Sequence, residues 1–119
     1  MVNIICPSRY KINRNQIKEK LGLFLKQSGH QEETLLNIIF VGKNKIRSLS
    51  KKYKKEDVAH PVLAFSYHEK NNDEKFLGEI VLCYPQAILL AAERQKRVDD
   101  IIWQLIKHGI NNLLSDLTR

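Results

Sequence analysis

PVLAFSYHEKNNDEKFLGEIVLC, Pro61 to Cys83, holds two β-rich runs, PVLAFSY (61–67) and FLGEIVLC (76–83), joined by the polar stretch EKNNDEK. Runs of this length and composition read as strands, and a polar connection between them is a hairpin signal, although its length leaves the turn type unreadable. Outward from this pair, LLNIIFVG (35–42) reads as a buried strand closed by Gly42, and residues 2–6 as another that Pro7 ends. Helices fill the intervals. Asn13 can cap a helix on which Ile17, Leu21, Phe24 and Leu25 recur at helical spacing, with Gly29 as its stop. Ile46, Leu49 and Tyr53 define a short basic helix. Pro85 suits the first turn of a helix continuing through QAILLAAERQK. The last helix begins near Asp99 and runs through Ile102, Leu105, Ile106, Gly109 and Leu113. The order β-α-β-α-β-β-α-α predicts an α+β domain, a single small mixed sheet of about four strands covered on one side by about four helices.

At 119 residues the chain is expected to be one domain, 1–119, burying about two-thirds of its chain surface. No low-complexity segment or internal repeat interrupts it. Cys6 and Cys83 sit inside apolar runs, VNIIC and IVLC, and read as buried strand thiols rather than a disulfide. That suits a reducing cytoplasm. The apolar start is about five residues long, so neither a signal peptide nor a membrane span is expected.

Charge points to a partner. Twenty Lys and Arg against thirteen Asp and Glu give +7. Lys43, Lys45, Arg47, Lys51, Lys52, Lys54 and Lys55 fall within KNKIRSLSKKYKK, with no acid among them. A basic cluster of that density, holding a tyrosine, suits a polyanion such as RNA; a solvated helix face is the plainer alternative.

The final helix contains HGINNLL, His108 to Leu114. Asparagine and glycine are poor helix residues, so helix stability does not account for them. His108 and Asn112, four apart, share one face at the edge of the apolar stripe. Were both histidine, H-G-x-x-H would be half of a zinc site. Here the chain resembles the YbeY family of rRNA-maturation endoribonucleases, whose signature reads H-G-x-x-H-L-x-G-x-D-H. LSKKYKKED (49–57) resembles that family's L-N-x-x-Y-R-G-K-D. PVLAFS (61–66) resembles D-V-L-S-F-P, and LGEIVLC (77–83) resembles L-G-D-I-V-I-C. The Ala-Glu of AAERQ (91–95) stands where the family often has A-x-E, so the likeness covers about residues 36–116.

The departures bear on chemistry. The family's three metal histidines fall at His108, Asn112 and Thr118, so only the first is kept. Ser115 replaces the glycine of the turn, Lys54 the arginine after tyrosine, and His60-Pro61 a Thr-Asp pair. A catalytic zinc takes about three N, S or carboxylate ligands, for which an amide and a hydroxyl are poor substitutes. Asp116 shares the face of His108, but eight residues along a helix is about 12 Å. His60, in a loop that the resemblance places near the cleft, is the more reachable second ligand, and two histidines leave the site incomplete. No metal and no cofactor are therefore expected.

RNA cleavage can proceed without metal, because the 2′-hydroxyl is a built-in nucleophile that needs an acid–base group and a cation. The resemblance implies activity at His108 and Lys54, although lysine lacks arginine's bidentate geometry. The leading expectation is a reduced YbeY-like protein of rRNA maturation, cytoplasmic and acting on single-stranded RNA rather than DNA. It would bind through the 43–55 cluster and a cleft beside His108, with weak, metal-independent cleavage. His60, Asn111 and Asn112 are expected to line that cleft, and the resemblance suggests the small ribosomal subunit as partner. The competing expectations are a non-catalytic RNA- or ribosome-binding module and a scaffold for an acidic protein. Trp103 is expected in the core rather than as a stacking platform, and His30 and His68 carry no functional reading.

Overall fold

A computed structural model describes residues 2–29, 35–66 and 76–117. The order is β1 (Val2–Ile5), α1 (Arg14–Gln27), β2 (Leu35–Val41), α2 (Lys43–Lys54), β3 (Val62–Phe65), β4 (Phe76–Cys83), α3 (Tyr84–Arg94) and α4 (Val98–Leu117). This is the α+β order and the element count expected from the sequence. The EKNNDEK connection, His30, His68 and Thr118 lie outside the described residues.

Local chemistry sets the helix ends. The Asn13 side chain accepts a hydrogen bond from the Gln16 backbone N–H at 3.0 Å and caps α1, satisfying one of its orphan donors. Pro85 lies in the first turn of α3, where no intrahelical N–H is needed. Helices α2 and α3 each end on a left-handed residue that is not glycine, Lys55 at φ 55° and Gln95 at φ 52°. Their N–H groups return to the carbonyls of Ser50 and of Ala91 and Ala92.

The sheet runs β1-β2-β4-β3, with β1–β2 and β2–β4 parallel and β3–β4 antiparallel. The mixed sheet expected from the sequence is thus formed, and β3 is an edge strand. Between Leu35 and Leu36 the register slips against β4, and Gly78 there adopts φ 145°. A Cβ at Gly78 would collide with the Phe65 carbonyl oxygen, so the bulge requires glycine.

Helices cover both faces, which corrects the one-sided expectation. Leu36, Ile38 and Phe40 of β2 and Ile80 and Leu82 of β4 point to one face, against α1, α3 and α4. Val81 and Cys83 of β4, with Leu63 of β3, point to the other, against Ile46 of α2. The cause is visible in β4, where Ile80 to Cys83 are all buried: a strand apolar at every position needs cover on both sides. Cys6 also departs from expectation. It lies just past β1 and is only half-buried, whereas Cys83 is buried as expected; both are free thiols. Burial pushes both thiols up from their ordinary pKa, less strongly opposed at Cys6 by Arg14 and at Cys83 by a hydrogen bond near Gln86.

Helix α4 is seated by Ile101, Ile102, Ile106, Ile110 and Leu113, all buried. A Cβ on Gly109 would meet three Ile80 side-chain atoms at 3.0–3.1 Å. Glycine here lets α4 lie close on β4, and that is why one stands mid-helix beside His108. Trp103 is partly buried against the core, edge-on to Phe24 with ring centroids 5.9 Å apart.

Candidate functional site

A cleft of about 820 Å³ opens where α4 passes the β3 edge. Gln104, His108, Asn112 and Ser115 line it from one face of α4, a spacing of four, four and three that a helix turns to one side. Val62 and Ala64 form its floor from β3. Lys54, the last residue of α2, comes to it although α2 packs on the other face of the sheet. His60 and Arg94 complete the polar wall. No carboxylate is among the lining residues, so an entering anion meets cations, imidazoles, amides and hydroxyls.

The loop bearing His60 is pinned on both sides. The Cys83 N–H donates to the Pro61 carbonyl at 2.9 Å, and Gln86 Nε2 donates to the Ala59 carbonyl at 3.3 Å. His60 Nε2 lies 2.8 Å from Glu56 Oε2. An N–H at Nε2 donates to the ionised carboxylate in that contact, which ties the imidazole to the chain just beyond the end of α2. His108 and Asn112 are exposed, ready to meet a ligand.

The sequence-predicted site residues divide. Lys54, His60, His108 and Asn112 come together in the cleft. Asn111 is exposed but is not among its lining residues, because one residue along a helix turns the side chain about 100° away. Lys43, Lys45, Arg47, Lys51, Lys52 and Lys55 are exposed on or just beyond α2, outside the cleft. Arg47 is not a free cation: its Nε and Nη2 reach the two Asp57 oxygens at 2.7 and 3.2 Å. This pair, hydrogen-bonded first and Coulombic second, holds the Asp57 carboxyl below its ordinary pKa and raises Arg47. The acid that engages Arg47 lies just after the basic run, and reading the run alone overlooked it.

Arg94 and Gln104 were missed. Gln104 could have been found by continuing the four-residue spacing back from His108. Arg94 gives no local signal, because only the packing of α3 on α4 brings it to the cleft.

A resident catalytic zinc does not fit the described donors. The cleft supplies two imidazoles, one already bonded to Glu56, and an amide at Asn112. Among the described residues no three His, Cys, Asp or Glu side chains gather, whereas a catalytic zinc draws on about three. Among the described residues, too, no helix is long and apolar enough to cross a membrane.

A family model described as Endoribonuclease YbeY matches residues 7–115. The chain belongs to the YbeY family. The endoribonuclease YbeY of Macrococcus caseolyticus is 29% identical over 103 residues, 81% of this chain and 67% of that protein. The YbeY of Dehalococcoides mccartyi is 27% identical over an alignment of 129 positions, 95% of this chain and 78% of that protein. With the YbeY of Cupriavidus necator the identity is 36% over 78 residues, 66% of this chain but only 39% of that protein. The solution structure of TM1509 from Thermotoga maritima shares the fold, with a TM-score of 0.67 at 24% identity, covering 95% of this chain and 71% of that one.

Proposed function

We propose that residues 1–119 form a single YbeY-type domain that acts in the cytoplasm on single-stranded RNA in rRNA maturation, at the small ribosomal subunit. The observation that carries this reading is the meeting of His108, Lys54, His60 and Asn112 in one cleft without a lining carboxylate. The exposed lysines of α2 contribute a sequence-independent attraction for phosphates, and the cleft receives the strand at the scissile bond.

Cleavage there is weak and independent of metal. The 2′-oxygen attacks the adjacent phosphorus, forming the P–O2′ bond as the P–O5′ bond breaks, and leaves a 2′,3′-cyclic phosphate and a 5′-hydroxyl. His108 takes the 2′-hydroxyl proton and returns a proton to the departing 5′-oxygen, a role that suits imidazole near neutral pH. Lys54 neutralises the charge that builds on the non-bridging oxygens.

A nuclease assay on single-stranded RNA, with and without chelator, tests the reading. The parent should cleave slowly in both conditions, and His108→Ala should lose most of the 10²–10⁴-fold, on the order of what general acid–base help supplies. A 2′-deoxy substitution at the scissile position should block the reaction. Activity abolished by chelator rules out the metal-free route. The incomplete donor set favours a second reading, a non-catalytic RNA- or ribosome-binding module, which stands if the parent binds RNA without cutting it.

A further inference from the structure

The cleft contains a second cation that the chemistry above leaves unused. Arg94 is the last residue of α3, exposed, and the left-handed Gln95 follows it. It lines the cleft together with Lys54, which arrives from the end of α2. Among the described residues Arg94 makes no hydrogen bond or ion pair, unlike Arg47, whose guanidinium both oxygens of Asp57 hold. A guanidinium without a carboxylate partner, in a cleft without a lining carboxylate, is placed for an oxyanion from outside.

The two cations differ in what they can do. An ammonium is a point charge that neutralises a phosphate but does not orient it. A guanidinium presents a planar fork that holds two phosphate oxygens at once. We infer that Arg94 is the phosphate-orienting residue of the cleft, gripping the two non-bridging oxygens of one RNA phosphodiester while Lys54 neutralises it from the other helix. The phosphorus is then held beside His108, with the attacking 2′-oxygen and the departing 5′-oxygen on opposite sides of it. Arg94 touches substrate but exchanges no proton. The inference rests on the cleft being the RNA site, as proposed above, but not on cleavage occurring there.

A twelve-residue 2′-O-methyl oligouridylate is the probe, because it keeps every phosphate and cannot be cut by its own 2′-oxygen. Arg94→Gln should weaken binding about tenfold or more, the scale of a charge-assisted bidentate contact. The slope of log affinity against log salt should fall by about 0.7, one single-strand phosphate contact. Arg94→Lys should recover the slope but not the full affinity. Lys54→Arg added to Arg94→Gln should restore much of the loss, since it returns a fork to the cleft from the opposite side. Asn111→Ala, on the same helix but outside the cleft, should bind as the parent does. With a cleavable oligouridylate, Arg94→Gln should raise KM and also lower kcat, because a misaligned phosphate reacts slowly.

Binding by Arg94→Gln within twofold of the parent overturns the inference, as does a double variant no better than Arg94→Gln alone. A parent that fails to bind the probe overturns it as well. If the parent binds without cleaving and the Arg94 effects hold, the inference stands and the catalytic reading falls. If the parent cleaves and Arg94→Gln changes neither binding nor KM, the inference falls alone.

Discussion

The two faces of the sheet are built differently. Against α1, α3 and α4 lies the larger core, with Phe40, Leu36, Ile38, Ile80 and the α4 isoleucines almost wholly out of water. Against α2 the buried set is Ile46, Leu63, Val81 and Cys83. The rest of that face is polar or open: Asn3 donates to Asn37, Asn37 donates to Glu79, and Ile5 is 55% exposed. Ser50, also buried on α2, has a hydroxyl without a hydrogen-bond partner among the described residues. The contrast separates two tasks. The thick face fixes α4, and with it the direction of His108. The thin face holds a helix lightly enough that much of its surface can be given over to lysine.

The largest expected effect tests that division directly. Ile102→Ala, on the thick face, should cost about 3–5 kcal/mol, while Ile46→Ala, on the thin one, should cost about 2–3 because its surroundings relax more easily. Urea unfolding followed by circular dichroism measures both. Equal losses would mean that α2 is as integral to the core as α4.

Next in size is the contact between α4 and β4. Gly109→Ala gains helix propensity but drives a methyl into Ile80, and overpacking of this kind should leave a net loss of about 1–3 kcal/mol. A neutral result in the same unfolding measurement would show that α4 can slide, and the placement of His108 would be less fixed than the comparison holds.

Smaller, and of opposite sign, are the two helix ends. Lys55→Gly and Gln95→Gly should each stabilise by about 0.5–1 kcal/mol, the left-handed penalty relieved less the added freedom of the unfolded chain. Thermal unfolding should show a modest rise for each. A fall at Lys55 alone would mean that its side chain, not its backbone, anchors α2.

The smallest effect is electrostatic. Asp57 has its pKa depressed by Arg47, so the pair's contribution is present above the unfolded carboxyl's pKa, about 3.9, and is lost as pH falls through the lower folded value. Asp57→Asn should therefore be slightly less stable than the parent at pH 7 and indistinguishable from it near pH 2. Both groups are exposed, so added salt should shrink the difference. A difference that persists at low pH would assign the Asp57 effect to packing instead.

Most of the fold was legible because its signals are local. The Asn13 cap, the helical spacing of Ile17, Leu21 and Leu25, and the apolar runs of β2 and β4 each announce themselves within a few residues. The second face of the sheet was also written in the chain, in a β4 buried at consecutive positions, but the one-sided reading did not use it. Of the cleft's lining residues, His108, Lys54, His60 and Asn112 were singled out by motif, spacing and family resemblance. Arg94 and the commitment of Arg47 to Asp57 were not, because each depends on one element's packing or return against another. A fixed helical turn is what removes Asn111 from the cleft that Asn112 enters.

The two cationic side chains of the cleft, Lys54 and Arg94, are each the final residue of a helix. Familiar phosphate sites sit at the opposite pole, where bare N–H groups greet the anion. At the carboxyl pole the outward carbonyls repel it and favour positive charge instead. An anion drawn to these two side chains would therefore be held against the backbone's own field at both helix ends. A phosphate held there, as the proposed function requires, would be released by added salt, since side-chain charge and not helix N–H groups would hold it.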